Sequence, residues 1–152
     1  MTDSEPAGRI LAVCSGRGGI PKHALAFAQV GPTGLIGDHH RYELHGGPLR
    51  ALCLLSTQEV ASLVRDGVRV SGPGALGENV LFEGIDPRSL RPGDGLILGD
   101  GVEIELTDIR EPCATLRKLD PRFPDLMLGR SGFMARVLRG GLLSPGMPIA
   151  RR

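Results

Sequence analysis

DGLILGDGVEIELTDI, from Asp94 to Ile109, is the stretch that decides the fold class. Two runs of alternating apolar residues flank Gly99-Asp100-Gly101, and a Gly-Asp-Gly turn between such runs is a strong local signal for a β-hairpin. RPGD (Arg91 to Asp94), just before it, reads as the turn that presents the hairpin.

Outward from there the same style repeats. ILAVCS (Ile10 to Ser15) is a compact apolar run ending in a Gly-rich turn, ALAFAQV (Ala24 to Val30) alternates and ends at GPTG, RALCLLS (Arg50 to Ser56) is apolar and β-compatible, and NVLFEGI (Asn79 to Ile85) is strand-like. Ser56 or Thr57 can N-cap a helix running to about Arg65, with Leu55, Val60, Leu63 and Val64 on its buried face and Gly67 at its end. FMARVLR (Phe133 to Arg139) has helical periodicity, with Phe133, Val137 and Leu138 toward a core and Gly140 and Gly141 closing it. Strands outnumber helices and no regular βαβ alternation appears. The expectation is a mostly β (α+β) fold: a closed or nearly closed β-barrel with a few peripheral helices. Residues 1–8 read as a flexible leader and residues 9–152 as a single domain.

The composition narrows the function classes. The 23 Gly and 12 Pro are spread between apolar runs, which suits many short strands and tight turns rather than disorder. A net charge of +1 with no long basic stripe argues against a nucleic-acid binder, which needs a concentrated phosphate-neutralising surface. The chain has sixteen Arg but only Lys22 and Lys118 as lysines, so a covalently attached pyridoxal phosphate has few places to go and is not expected. Three widely spaced cysteines make neither a disulfide framework nor a zinc knuckle, no apolar run approaches membrane-spanning length, and the start is polar and acidic. A cytoplasmic, reduced protein off the membrane is expected.

Chemistry points first to Cys113, in REPCATL (Arg110 to Leu116). Only a thiolate is a nucleophile or metal ligand, and Arg110, Arg117 and the start of a helical turn at ATLRK all favour that form, whereas Glu111 opposes it. On these residues a reactive and a structural Cys113 both stay open. Cys14 and Cys53 lie inside apolar runs and read as inert core residues. HGGPLR (His45 to Arg50) offers a histidine, two backbone positions bare of side chains and an arginine, a set able to approach an anion, although on this stretch alone a plain turn between a loop and a strand is the preferred reading. GGIPK (Gly18 to Lys22) lacks phosphate-loop spacing and reads as a turn with a solvated Lys22. Asn79, the single asparagine, can read a heterocycle edge or, as is commoner, cap a turn. His39, His40 and His45 have no carboxylate or second cysteine at a usual ligand interval, which speaks against a zinc site.

Taken in order, GGIPK, GLIGDHH, HGGPLRALCLLS, GENVLFEGID, LRPGDGLILGD, REPCATL and GRSGFMARVLRGGLLSPG resemble the MOSC domain, the family of the C-terminal domain of molybdenum cofactor sulfurases, over nearly the whole chain. The resemblance implies a β-barrel with a cleft. It implies that Cys113 either carries a persulfide sulfur or ligates molybdenum, and that His45, Gly46, Gly47, Arg50 and Asn79, with Arg110 and Arg136, grip the phosphate and pterin of the molybdenum cofactor (molybdopterin). One departure is Leu49, at a position often acidic in the family. The sequence carries no desulfurase or electron-transfer domain, so sulfur or electrons are expected from a separate cysteine desulfurase or electron-donor reductase. Three functions follow as expectations: an oxidoreductase acting on N-hydroxylated substrates, a sulfur carrier, and a non-catalytic binding module. Substrate and oligomeric state are not identified at this level.

Overall fold

The computed structural model describes residues 6–38 and 47–152. Its elements follow in the order β1 (Pro6–Ser15), β2 (His23–Leu25), β3 (Ala28–Gly31), β4 (Gly34–Leu35), β5 (Leu52–Ser56), α1 (Thr57–Arg65), β6 (Val80–Glu83), β7 (Gly95–Leu98), β8 (Val102–Ile109), β9 (Phe133–Arg139), β10 (Gly141–Leu143) and β11 (Pro148–Arg151). The hairpin forms as the turn chemistry demands: β7 and β8 pair antiparallel from Gly95 opposite Glu105 to Leu98 opposite Val102. Gly99 and Gly101 supply the positive φ values in the turn between them.

Seven strands close into a ring, β1-β11-β7-β8-β9-β5-β6 and back to β1. Every pairing is antiparallel except β5 with β6. Closure leaves the ring no edge. The β1–β11 seam joins the two ends of the described chain, with Pro6 opposite Ala150 and Gly8 opposite Ile149. Residues 6–8, expected in the leader, therefore belong to the barrel. The alternating faces of these strands fill its interior with Ile10, Val13, Leu52, Leu54, Val80, Phe82, Leu96, Leu98, Ile104, Leu106 and Ile149.

Two expected elements differ. ALAFAQV is not one strand: β2 pairs with β1 outside the ring, and after Ala26 and Phe27 the chain enters a separate small sheet in which β3 lies between β10 and β4. FMARVLR is not a helix. It is β9, hydrogen-bonded between β8 and β5, and its period is two: Phe133, Ala135 and Val137 pack on the barrel interior. Met134 is buried as well, so the strand is apolar on both faces at its start, and that pattern mimics a helical stripe.

The expected helix is present. Ser56 accepts from the Glu59 backbone N–H while the Glu59 carboxylate returns to the Ser56 N–H, a reciprocal capping box, and Gly67 follows its end with φ +90°. Leu63 and Val60 face a second core with Leu55, Leu76, Leu116, Phe123 and Met127, whereas Val64 is exposed. That second core lies outside the barrel and anchors the long 110–131 connection against β5 and α1. Among the described residues no helix is long and apolar enough to cross a membrane.

Candidate functional site

On β5 and β9, the positions Cys53 and Met134, which face away from the barrel interior, define a floor. Cys53 and Met134 stand opposite each other in register, and both line a cleft of about 380 Å³. Its walls come from segments far apart in sequence: the Gly19–Lys22 turn, Arg50, Gly77 and Asn79 ahead of β6, and Arg110 to Cys113 with Thr115 after β8. The volume suits a small-molecule ligand.

Cys113 sits at the N-cap of a 3-10 turn, Ala114–Lys118, in extended geometry (φ −95°, ψ 149°), as the local sequence suggests. Its thiol is partly exposed. Burial opposes its ionisation, but the Thr115 hydroxyl and amide, the Arg110 charge and the Ala114 amide together outweigh burial and hold the thiol below its ordinary range. Arg117 is exposed on the same turn. The other thiols differ in kind: burial pushes Cys14 up to about 12, and Cys53 is also raised by burial. Cys53 is thus a cleft-floor thiol that stays neutral, which its apolar surroundings in sequence had hidden.

Two arginines line this cleft. Arg110 gives one guanidinium N–H to the Leu76 carbonyl at 2.7 Å, and its Nη1 is buried with no partner among the described residues. Arg50 is carried in by a 3-10 turn (Pro48–Arg50), and its Nε is likewise buried and without a partner among the described residues. Buried guanidinium N–H groups without acceptors are costly, and they suit a ligand that brings anionic or carbonyl oxygens.

The remaining expected residues divide. Gly47, at φ +99°, precedes the turn that carries Arg50 but does not itself line the cleft. His45 and Gly46 lie outside the described residues, as do His39 and His40. Arg136 is not brought to the cleft: it projects from β9 and pairs with Glu105 of β8 at 2.8 Å. Asn79 does line the cleft, but its amide is bound to the protein. Its Oδ1 accepts from the Cys53 N–H at 2.9 Å, and its two N–H groups serve the Cys14 carbonyl at 3.1 Å and Asp38 at 3.0 Å. Asn79 thus neither caps a turn nor offers a free amide to a heterocycle; it ties β1 to β5 just where β6 begins.

Lys22 overturns the expectation of a solvated side chain. It is 7% exposed and gives its ammonium to both Asp38 oxygens, at 2.8 and 2.7 Å. Asp38 also accepts from the Gly16 N–H at 2.9 Å. Lys22, Asp38 and Asn79 form a polar network next to the cleft whose members lie sixteen and forty-one residues apart, too far for any local motif to reveal it. Among the described residues no cluster of three or more His, Cys, Asp or Glu side chains is arranged to hold a metal ion.

Comparison with known proteins agrees with this architecture. The MOSC domain family model matches residues 41–150. A protein named "Reductase" from Gibberella moniliformis (strain M3125 / FGSC 7600) is 30% identical over 133 residues, 78% of this chain and 22% of that protein. "Uncharacterized protein YflK" from Bacillus subtilis (strain 168) is 30% identical over 109 residues, 67% of this chain and 48% of that protein. The chain thus spans about a fifth and about half the length of these curated relatives. Among solved structures, YiiM from Geobacillus stearothermophilus superposes with a TM-score of 0.79 at 25% identity, covering 95% of this chain and 75% of that one. YiiM from Escherichia coli gives 0.75 at 24% identity, covering 95% and 69%, a likeness of fold.

Proposed function

The chain belongs to the MOSC domain family, and from that premise we propose that it is a molybdenum cofactor-binding oxidoreductase that reduces N-hydroxylated substrates. The observation that carries this is one cleft holding a thiol biased toward thiolate together with two arginines that each bury a guanidinium N–H without a partner among the described residues. Soft thiolate sulfur suits such a metal, and the two guanidiniums suit a phosphate and a polar heterocycle. The described residues therefore fit the group: Cys113 would ligate the metal, with Arg50 and Arg110 on the anionic part.

When bound, the cofactor would supply two-electron redox chemistry. The balance is R–NH–OH plus two electrons and two protons giving R–NH2 and water, with the electrons from a separate reductase. The chain's own part is to hold and shield. The Thr115 hydroxyl and amide, with the Arg110 charge, bias Cys113 toward its thiolate against the pull of burial, Met134 and Cys53 give the cleft an apolar, uncharged floor, and Asn79 fixes the spacing of β1 and β5 beneath it. A cytoplasmic location is part of the same proposal.

A second reading rests on the partial exposure of Cys113. Its thiolate can attack the terminal sulfur of a cysteine desulfurase persulfide, forming Cys113–S–S⁻ and releasing the desulfurase thiolate. Metal analysis of protein purified from a host that makes the pterin cofactor tests the first reading. Mass spectrometry of Cys113 after incubation with a desulfurase tests the second, since no added sulfur mass would exclude it. Loss of neither property in Cys113→Ser would leave a non-catalytic binding module.

A further inference from the structure

Glu78 is 2% exposed and sits beside the cleft rather than in its lining. Its Oε2 accepts from the Gly74 N–H at 2.9 Å, which folds the side chain back over the turn Gly74–Glu78. Its Oε1 is buried with no partner among the described residues. A buried carboxyl oxygen without a partner among the described residues costs free energy, so its reach across the turn needs a reason.

That turn is the mount of Arg110. The Leu76 side chain is fully buried in the outer core, and its carbonyl accepts the Arg110 guanidinium N–H at 2.7 Å. Gly77, at φ +87°, presents so bare a surface that an added Cβ would stand 3.1 Å from Arg110 Nη2. The far end of the turn is clamped too: the Gly74 carbonyl accepts from the Lys22 N–H at 2.8 Å and from the Gly77 N–H at 3.0 Å. Gly74 is at φ +87°, with the Lys22 carbonyl against the place a Cβ would fill. The Gly74 N–H, in turn, is secured by the Glu78 side chain.

We infer that Glu78 is a positioning residue: by closing the Gly74–Glu78 turn it holds the Leu76 carbonyl on Arg110 and so keeps that guanidinium in the cleft with Cys113. The inference rests on the reading of Arg110 and Cys113 as parts of one site, but not on which cofactor or sulfur species the site handles. The role is one of hydrogen bonding. Burial raises the Glu78 carboxyl despite the Gly74, Glu78 and Leu76 amides and the Arg110 charge, and the bond from the Gly74 N–H needs only an acceptor, which a neutral side chain of the same length also supplies. The charged and titratable groups that face it are Arg110, Cys14 and Cys53.

The test reads Cys113 and not overall stability. Cys113 alkylation by iodoacetamide is followed by mass spectrometry across pH on the cofactor-free protein, with Cys14 and Cys53 as buried internal controls. Glu78→Ala frees Arg110, so Cys113 alkylation near neutral pH slows roughly threefold or more and its midpoint moves upward. Glu78→Gln, isosteric and able to accept from Gly74, keeps the wild-type profile. Folded Glu78→Ala with an unchanged profile overturns the inference. If Glu78→Ala does not fold, Glu78→Met, close in volume but with no oxygen to accept from the Gly74 N–H, takes its place: a profile displaced toward that of Arg110→Gln upholds the role, and a wild-type profile overturns it. Wild-type protein that takes up neither molybdenum nor sulfur would defeat the functional proposal while leaving this result standing.

Discussion

The Lys22 ammonium lies 2.7 Å from an Asp38 carboxylate oxygen, with the two side chains 8% and 2% exposed. An ion pair this well buried is a poor source of net stability, because desolvation offsets most of the attraction, yet removing one member strands the other. Here the pair fixes the Gly-rich turn after β1 against the segment that follows β4, and Lys22 lines the cleft. Lys22→Met should cost about 3 kcal/mol or more of unfolding free energy, read as a lower urea midpoint at unchanged slope. A solvated Lys22 would give a change too small to measure.

Cys14 predicts an alkaline weakness. In the fold its thiol is pushed up to about 12, with burial the main cause, Glu78 and Asp38 adding to it and Lys22 opposing. The unfolded chain releases this proton nearer 9.0, so above that pH the native state binds the extra proton and stability falls as pH rises. Cys53, also raised, acts with the same sign. Denaturant unfolding between pH 8 and 11 should show Cys14→Ala declining less steeply than wild type; parallel curves would contradict the assignment.

The arginines should separate cleanly. Arg50→Ala and Arg110→Ala each lose a charged hydrogen bond to the ligand and should lower molybdenum cofactor retention roughly tenfold or more. Arg136→Ala breaks only the outer pair with Glu105 and should retain the cofactor like wild type. Equal losses in all three would mean that the cleft is not the binding site.

Legibility in the sequence followed the range of the interactions. The β7–β8 hairpin and the cap of α1 were readable because turn residues and alternation act within a few positions. The nature of β9 was not, because strands on both sides bury Phe133 and Met134 on opposite faces, and a two-sided apolar run carries no period of its own. Reading Phe133, Ala135 and Val137 at period two would have placed Met134 on the opposite face, toward the cleft. Cys113 and Arg110 stood out because charge and thiol are neighbours in sequence. Lys22–Asp38 and the bridging of β1 and β5 by Asn79 did not, since each depends on how the chain returns on itself. Glu78 lay next to a residue already singled out, yet only its reach back to Gly74 gives it meaning.

Molybdenum content of wild-type and Cys113→Ser protein, purified side by side from a host that makes the pterin cofactor, tests the central claim most directly. The account predicts about one metal per wild-type chain and little or none in Cys113→Ser, with both proteins equally folded. Equal molybdenum in the two, or none in either, would contradict it.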